Sequence, residues 1–411
     1  MPEMGTARLK PGREKSVINR HPWLFSGALA RVEAEHGGDV DVLAADGRWL
    51  ARGYYNARSQ IQVRLLTWDQ DQPLDAGFWR ARMQRAVEGR RRLPAWNSSS
   101  ARLINAESDG LPGLVADLYV DRGSAEAVLV VQALTLGIEV RRQVLYELLP
   151  QVITPEAVPQ LGTWGRLSVY ERSDADTRRL EGMESRVEPV CGPEPATLTV
   201  SEDGLAFEVD VRSGHKTGLY LDQSRNRGVV ARHCTGAEVL NAFAYTGGFG
   251  VHALRAGARS VTDVDTSASA LAAGRRNLLR NDLPAQRREE VAGDVFQVLR
   301  RYRDAGRLFD VVVLDPPKFA QNTRQVQGAT RGYKDINLLG MALLRPGGVL
   351  ATFSCSGLVS ADLFQKVVFG AAVDADRDVQ ILEPLSQAPD HPVLLSFPES
   401  SYLKGFLCRV W

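Results

Sequence analysis

The chain has 411 residues and a formal net charge of +1 at pH 7, with 50 Lys and Arg against 49 Asp and Glu. Apolar residues make up 44% and charged residues 24%, which is typical of a soluble globular protein and argues against a disordered chain. The length predicts two or three domains, and the balanced charge gives no sign of a polyanion partner, although basic residues cluster locally.

The cysteine and histidine pattern argues against a metal site. No C-x-x-C pair occurs and the histidines are scattered, so we expect neither bound metal nor a disulfide framework. The N-terminus lacks the apolar segment of a signal peptide, and no stretch approaches ~18 uninterrupted apolar residues. We therefore expect a cytoplasmic protein without a membrane span.

Residues 1–72 are predicted to form a small β-rich module, because short apolar strands alternate with turn residues. The pattern resembles a PUA domain, a pseudo-barrel found in RNA-modifying enzymes, and this resemblance implies RNA binding. The motifs that carry it are His21-Pro22-Trp23, Gly38-Asp39-Val40, and Asp46-Gly47 followed by Gly53. The alternative is a generic barrel used for dimerisation or lid packing.

Residues 73–188 are predicted to form an α+β central domain without chemistry of its own. Helices are expected at 78–93 and 138–149. Strands are expected at 102–106, 114–118, 127–132 and 168–171. The alternation indicates a small sheet with helices on one face.

Residues 189–411 are predicted to form one Rossmann-like domain that opens with a β-hairpin at 198–211. Asp222 is expected to cap a polar helix placed to close over a cofactor, with an ordinary capped helix as the alternative. Beyond it, strands are expected at 237–242, 260–265, 289–292, 309–314, 347–353, 378–383 and 403–410. Helices are expected at 267–281, 333–344 and 363–372, so the fold class is α/β with a methyltransferase-type sheet.

Residues 237–268 carry the cofactor prediction. An apolar strand leads into a turn with Gly247, Gly248 and Gly250, and the next strand ends on Asp265. Glycines allow a close approach of backbone to ligand, and the acid can accept both ribose hydroxyls. No G-x-G-x-x-G is present, so an adenosyl ligand such as S-adenosylmethionine is favoured over a dinucleotide. A glycine turn kept only for packing is the alternative.

Polar residues at the carboxyl ends of the strands extend this site, because ligands of open α/β sheets bind beyond those ends. Asp294 is expected to accept from the adenine amine, and an aromatic residue of the turn to pack on adenosine or the target base. The candidate cofactor-binding residues are Gln223, Arg227, Asn241, Phe243, Tyr245, Thr246, Gly248, Asp265, Thr266, Asn281, Asp294 and Asp315.

Cys355 and Asp315 are the candidate catalytic residues. A thiolate that adds to C6 of cytosine makes C5 nucleophilic enough to take a methyl group from a sulfonium. Asp315, stiffened by Pro316 and Pro317, is placed to bind N3 and the exocyclic amine of that base. The alternatives are a buried apolar cysteine and a plain Asp-Pro turn.

The motifs GLYLDQSRNR, LNAFAYTGGFGVHA, VDTS, LDPPKF and SCSG together resemble the RlmI-like family of 23S rRNA cytosine-5 methyltransferases. The resemblance covers essentially the whole chain. It implies S-adenosylmethionine as donor with S-adenosylhomocysteine as product, a cytosine in 23S rRNA as substrate, and Cys355 as nucleophile. It also suggests a homodimer. Many cytosine-5 RNA methyltransferases carry a second Cys after the Asp-x-Pro turn, where this chain has Lys318.

The remaining predictions concern RNA contacts and rival functions. The candidate RNA-binding residues are Lys318, Lys334, Lys216, Arg13 and Arg20. A methyltransferase acting on a purine, at guanine N7 or an exocyclic amine, is one rival. A non-catalytic RNA-binding assembly factor with a vestigial cofactor fold is the other.

Overall fold

A computed structural model describes residues 4–93, 97–320 and 322–411. The chain divides into two compact units. The first contains residues up to Gly204 together with Val209–Leu221 and Pro389–Ser400. The second contains Leu205–Glu208, Asp222–Ala388 and Ser401–Trp411. The predicted boundary at residues 188 and 189 is therefore not the place where the compact units divide.

The N-terminal part of the first unit is a six-stranded sheet with strand order β2-β6-β5-β4-β1-β3. Its elements are β1 (Gly5–Leu9), α1 (Lys15–Ile18), β2 (Trp23–Phe25), β3 (Leu29–Glu33), β4 (Asp39–Leu43), β5 (Trp49–Tyr55) and β6 (Ile61–Thr67). Strand β4 alternates buried valines with half-buried polar residues, so one face of the sheet supplies a core. The β-rich module expected over residues 1–72 is present, except that residues 1–3 lie outside the described residues.

The rest of the first unit contains a five-stranded sheet of order β11-β10-β9-β8-β7. Its elements are α2 (Ala76–Arg91), β7 (Ser100–Asn105), β8 (Leu114–Val120), β9 (Glu126–Ala133), α3 (Leu136–Glu139), α4 (Arg142–Val152), β10 (Arg166–Ser173), α5 (Asp176–Leu180) and β11 (Arg186–Cys191). Strand β11 is not among the predicted strands. Tyr54 of β5 joins the core of this sheet, and its hydroxyl donates to the Pro112 carbonyl at 2.7 Å.

A two-stranded hairpin, β12 (Leu198–Glu202) and β13 (Leu205–Val209), follows as predicted. Asp203 and Gly204 form its turn and both have left-handed backbone angles, with φ of 51° and 77°. The tight reversal explains why a Glu-Asp-Gly sequence marks this hairpin.

The second unit is built on a seven-stranded sheet of order β16-β15-β14-β17-β18-β20-β19. Its elements after β13 are α6 (Ser224–Ala231), β14 (Glu238–Ala242), α7 (Gly248–Arg255), β15 (Ser260–Asp265), α8 (Ala268–Arg280), β16 (Arg288–Ala292), α9 (Val295–Asp304), β17 (Phe309–Leu314), α10 (Val326–Ala342), β18 (Leu344–Ser354), α11 (Ala361–Asp374), β19 (Val379–Ser386) and β20 (Lys404–Val410). The first five strands are parallel, and β20 lies antiparallel between β18 and β19.

This topology gathers the carboxyl ends of β14, β15, β17 and β18 along one edge of the sheet. The central strand β17 is almost entirely buried because helices cover both faces of a parallel sheet. Helix α10 begins seven residues before Tyr333, the predicted start. Two glycines in its first turns have low helix propensity, so the sequence did not indicate a helix there. The predicted α/β fold with a methyltransferase-type sheet is present.

Within the described ranges, no helix combines the length and the apolar character needed to cross a membrane. No group of three or more His, Cys, Asp or Glu side chains in those ranges is arranged to hold a metal ion. All four cysteines are free thiols.

Candidate active site

The turn after β14 has an unusual backbone. Phe243, Tyr245 and Gly247 all lie in the left-handed region, with φ of 62°, 48° and 76°. A non-glycine residue in this region costs free energy, and such strain concentrates at ligand sites. Helix α7 then begins at Gly248, where an added Cβ would lie 2.9 Å from Cδ of Arg227. The glycines at the end of the turn therefore bring backbone close to the sheet edge.

Asp265 ends the neighbouring strand and fixes that turn. Its Oδ2 accepts from the backbone N–H of Tyr245, and its Oδ1 accepts from the N–H of Ser267, each at 2.8 Å. Each carboxylate oxygen accepts more than one hydrogen bond, so acceptor capacity remains for a ligand. Asp265 is half-buried, as a site for a ribose diol requires.

A buried ionic network supports the turn from below. Asn241 donates through Nδ2 to Oδ1 of Asp263 at 2.7 Å, and Arg288 donates to the other oxygen of Asp263. An added Cβ on Gly250 would stand 2.8 Å from that same Oδ1, so only glycine fits there. The buried Oδ1 of Asn241 has no hydrogen-bond partner within the described residues. Asp263 therefore restricts the packing around the turn, and Oδ1 of Asn241 remains as a buried acceptor.

Asp315 follows β17 and is oriented by an amide relay. Gln223 donates through Nε2 to Oδ1 of Asp315 at 2.9 Å, and Asn226 donates to Oε1 of Gln223 at 2.6 Å. Gln223 and Asn226 are both buried. The relay therefore holds the carboxylate from a helix more than eighty residues earlier in the chain.

The start of α6 differs from the expectation in one respect. Gln223, and not Asp222, occupies the N-cap position, and no side chain caps the helix. Asp222 lies in a short 3₁₀ turn, Leu221–Gln223, where its Oδ2 accepts from the Tyr402 hydroxyl at 2.7 Å. Because Asp222 lies inside that turn and not at the N-cap position, the capping prediction was wrong.

Cys355 follows β18, the strand next to β17. Leu314 and Thr352 are register partners, so Cys355 and Asp315 emerge at the same edge of the sheet. The half-buried Sγ of Cys355 makes a weak hydrogen bond of 3.8 Å to the Pro316 carbonyl. The flanking residues Ser354 and Ser356 are fully buried, which leaves the thiol as the reactive group of this turn.

Comparison with known proteins reveals what this arrangement belongs to. The family model for S-adenosylmethionine-dependent methyltransferases matches residues 160–399, and a PUA-like domain model matches residues 7–68. A protein named ribosomal RNA large subunit methyltransferase I from Shewanella denitrificans is 49% identical over 409 residues, covering 98% of this chain and 99% of that protein. One of the same name from Klebsiella pneumoniae is 47% identical over 406 residues, covering 98% and 97%.

The chain belongs to the S-adenosylmethionine-dependent methyltransferase family. Its donor is S-adenosylmethionine, and the predicted PUA-like domain is confirmed. The resemblance to the RlmI-like rRNA methyltransferases is confirmed as well.

Solved structures agree on the fold. A protein from Streptococcus mutans described as a SAM-dependent methyltransferase is 19% identical with a TM-score of 0.81, covering 98% of this chain and 99% of that chain. SMU.776, crystallised with S-adenosylhomocysteine, is 20% identical with a TM-score of 0.82 and the same coverage. At these identities the likeness establishes the fold of the methyltransferase and nothing further.

The residues at the sheet edge fit an adenosyl cofactor. The backbone turn admits a ligand closely, Asp265 offers acceptor oxygens for hydroxyl groups, and Asn241 holds a spare buried acceptor. Thr246 is buried within the turn, and its carbonyl accepts from the side chain of Asn277 at 3.1 Å. Thr266 follows Asp265 and is exposed, so its cofactor role stays a prediction.

Two predicted cofactor residues have structural duties in the methyltransferase. Asp294 is the N-cap of α9, where its Oδ1 accepts from the Gln297 N–H at 2.9 Å. Asn281 caps the C-terminus of α8, and its side chain bonds both backbone groups of Ala206 at 2.7 Å. Because α8 runs back from the carboxyl edge, Asn281 lies ~20 Å along the helix from Asp265. Asn281 therefore has a structural role at the end of α8, and its cofactor role stays a prediction.

Lys404 and Tyr333 are neighbours of Cys355 that the sequence prediction missed. Lys404 pairs with Ser354 across β18 and β20, and its Nζ donates to the carbonyls of Ser356 and Val359, each at 2.7 Å. Burial is the main cause that lowers the pKa of Lys404 to about 8. The Tyr333 hydroxyl lies 3.2 Å from Oγ of Ser356, and burial raises its pKa. A lysine inside the apolar sequence YLKGFLCRV was the signal available.

A row of aromatic rings packs below this part of the site. Neighbouring ring centroids are 4.7–6.5 Å apart, with tilted, edge-to-face or stacked geometry. The members, in order, are Phe243, Phe296, Phe319, Tyr333, Phe364 and Phe406. The row links the glycine turn to β20 through the core of the second unit.

The predicted RNA-binding residues divide between the two units. Arg13, Arg20 and Lys216 belong to the first unit, where Arg20 lies over the Trp68 ring and Lys216 over the Tyr220 ring. Lys318 is exposed after β17. Lys334 forms an ion pair with Asp374 at 2.7 Å, and this carboxylate reduces the attraction of Lys334 for a phosphate. Contacts of these residues with RNA stay predictions.

Proposed function

We propose that this methyltransferase modifies large-subunit ribosomal RNA and forms 5-methylcytosine in 23S rRNA through a covalent adduct of Cys355. One observation carries the proposal: a half-buried thiol and an oriented carboxylate emerge side by side from neighbouring strands, at the edge that carries the cofactor turn. The name shared by the relatives, ribosomal RNA large subunit methyltransferase I, supports the substrate class.

S-adenosylmethionine, when bound, supplies a methyl group on a sulfonium, an electrophile for a carbon nucleophile. Asp265 would hold the ribose hydroxyls, and the strained turn through Phe243 and Tyr245 would lie along the adenosyl group. Because the buried network of Asn241, Asp263 and Arg288 fixes the turn beforehand, binding costs little reorganisation.

Cys355 supplies the nucleophile that C5 of cytosine lacks by itself. The Sγ thiolate would form a bond to C6, and the electron pair of the C5–C6 double bond would make C5 the nucleophile that takes the methyl group, with the thioether S-adenosylhomocysteine as leaving group. A base or water then removes the C5 proton, the C6–Sγ bond breaks, and the thiolate returns. Before it is deprotonated, the thiol lies 3.8 Å from the carbonyl of Pro316, the residue that follows Asp315.

Asp315 orients that base and stabilises the adduct. Its carboxylate would accept from the exocyclic amine and, in the adduct, from protonated N3. Gln223 already donates to one of its oxygens, so the carboxylate is held before the base arrives. A preorganised acceptor of this kind is more effective in a site from which water is excluded.

The base must leave its stack to reach the thiol, since attack on C6 comes from the face of the ring. We therefore propose an unpaired or splayed segment as the target. The PUA-like domain, with Arg13 and Arg20, would bind neighbouring RNA, and Lys318 would meet a phosphate close to the base. A homodimer and a cytoplasmic location stay predictions, and light scattering of the purified protein tests the first.

The deciding experiment combines purified protein, tritiated S-adenosylmethionine and unmodified 23S rRNA, followed by nucleoside analysis. We expect label in 5-methylcytidine that disappears in Cys355→Ala and persists in Cys191→Ala, which removes an exposed thiol. Label in a purine would keep the fold and the donor but remove the thiol mechanism. Bound cofactor without label would favour another RNA substrate or an assembly factor.

A further inference from the structure

Lys404 is an ionisable side chain for which the proposed reaction has no step. It is 7% exposed, although a lysine almost never lies this deep without a partner. Its partners are the carbonyls of Ser356 and Val359, which are neutral, so no carboxylate neutralises it among the hydrogen bonds of Nζ. Such a charge is costly to bury, which points to a function.

The Lys404 ammonium lies at the turn that carries Cys355. Lys404 and Ser354 are register partners, and Nζ donates to the carbonyl of Ser356, the residue that follows Cys355, at 2.7 Å. The charges of Lys404 and Cys355 act on each other, because an ionised Cys355 raises the pKa of Lys404 against the larger effect of burial. Such coupling is mutual, so the ammonium favours the thiolate to the same degree.

We propose that Lys404 is a positioning residue whose buried ammonium keeps Cys355 in the thiolate form that attacks cytosine. The Sγ–H bond breaks, the electron pair stays on sulfur and the proton goes to water, so no electron transfer is needed. The inference deepens the proposed function and rests on it only for the use made of the thiolate.

Other groups facing the thiol do not replace Lys404. Lys318 is exposed and acts on the same cluster, lowering the pKa of Lys404 by repulsion. Tyr333 faces the turn from α10 and supplies no positive charge. Asp315 follows the neighbouring strand, and its carboxylate disfavours the thiolate. The Pro316 carbonyl favours the thiol, but S–H is a weak donor and an ammonium carries a full charge. Lys404 is therefore a buried positive charge at the turn that carries Cys355.

The pH range follows from the sign of the charge. Lys404 is cationic below its pKa of about 8 and neutral above it. Its stabilisation of the thiolate is present at neutral pH and fades as the pH rises through that value. The Lys404 charge therefore favours the thiolate most effectively near pH 7, where Lys404 is still cationic.

The test measures iodoacetamide alkylation of each cysteine against pH by peptide mass spectrometry, without methyl transfer. In the wild-type protein, Cys355 should have its alkylation midpoint at lower pH than the exposed Cys191 in the same sample. A midpoint for Cys355 equal to or above that of Cys191 overturns the proposal, even if every variant fails to fold.

Two variants separate charge from hydrogen bonding. Lys404→Gln keeps amide donors without charge and should raise the midpoint by about one pH unit, which lowers alkylation at pH 7 about tenfold. Lys404→Arg keeps the charge and should restore the midpoint. Lys366→Gln, which removes a surface lysine paired with Asp362, is the matched control and should change nothing. An unmoved midpoint in Lys404→Gln contradicts the inference.

Failure of this inference and failure of the proposed function give different results. If label enters a purine while Lys404→Gln still moves the midpoint, the thiolate inference holds and the cytosine mechanism fails. If 5-methylcytidine forms through Cys355 while the midpoints of Cys355 and Cys191 coincide, the function holds and the role of Lys404 is refuted.

Discussion

The two halves of the site are built in different ways. The cofactor half, from β14 to β15, uses backbone: left-handed residues, a glycine turn and a carboxylate bound by two backbone N–H groups. The nucleophile half, around β17 and β18, uses side chains from distant segments: Gln223 donates to Asp315, and Lys404 donates to the carbonyl of Ser356 next to Cys355. The backbone groups fix the geometry in which the cofactor binds, whereas the side chains adjust the reactivity of Asp315 and Cys355. Substitutions should therefore divide into binding and rate effects.

The largest expected effect comes from Cys355→Ala. Methyl transfer should fall at least ~10³-fold, because no other group replaces a covalent nucleophile. Affinity for S-adenosylmethionine, measured by calorimetry, should stay within twofold of wild type. Normal methyl transfer by this variant would contradict the division into binding and rate effects, because Cys355 would then serve only to pack the core.

Asp265→Ala should act in the opposite way. The variant loses the ribose acceptor and unpairs the Tyr245 and Ser267 N–H groups, so cofactor affinity should weaken ~10- to 100-fold. At saturating cofactor, the rate should recover to within a few fold of wild type. Unchanged affinity by calorimetry would show that the Asp265 carboxylate stabilises the turn and does not bind the ribose.

Gln223→Ala tests whether the relay serves the nucleophile half. Loss of one hydrogen bond to a carboxylate should lower kcat ~10-fold and leave the Kd for S-adenosylmethionine nearly unchanged. Gln365→Ala, on an exposed position of α11, is the control. A rise in cofactor Kd with normal kcat would restore the original prediction that Gln223 binds cofactor.

The smallest effect is expected for Asn281→Ala. Its side chain joins α8 to β13, so the free energy of unfolding should fall by about 1–2 kcal/mol in urea titrations. Cofactor affinity should not change. A loss of affinity without a loss of stability would return Asn281 to the cofactor half.

The sequence predicted the cofactor half better because that half is local. Gly247, Asp265 and the strand between them lie within one continuous stretch, so order along the chain stands in for nearness in space. Cys355 and Asp315 were predictable as strand ends, since parallel strands share an edge. Lys404 was not, because its pairing with Ser354 requires β20 to enter between β18 and β19. Arg288 and Asp263 were missed for the same reason, since their pairing is set by strand register.

The row of rings from Phe243 to Phe406 has a spectroscopic consequence. It contains no tryptophan, and Trp411, 56% exposed, is the single tryptophan among the described residues of the second unit. Tryptophan emission therefore reports mainly on the first unit. Near-ultraviolet circular dichroism in the phenylalanine band should respond more strongly to the packing of this row, because most of the described phenylalanines lie in the second unit. One unfolding experiment followed by both signals would report on the two units separately.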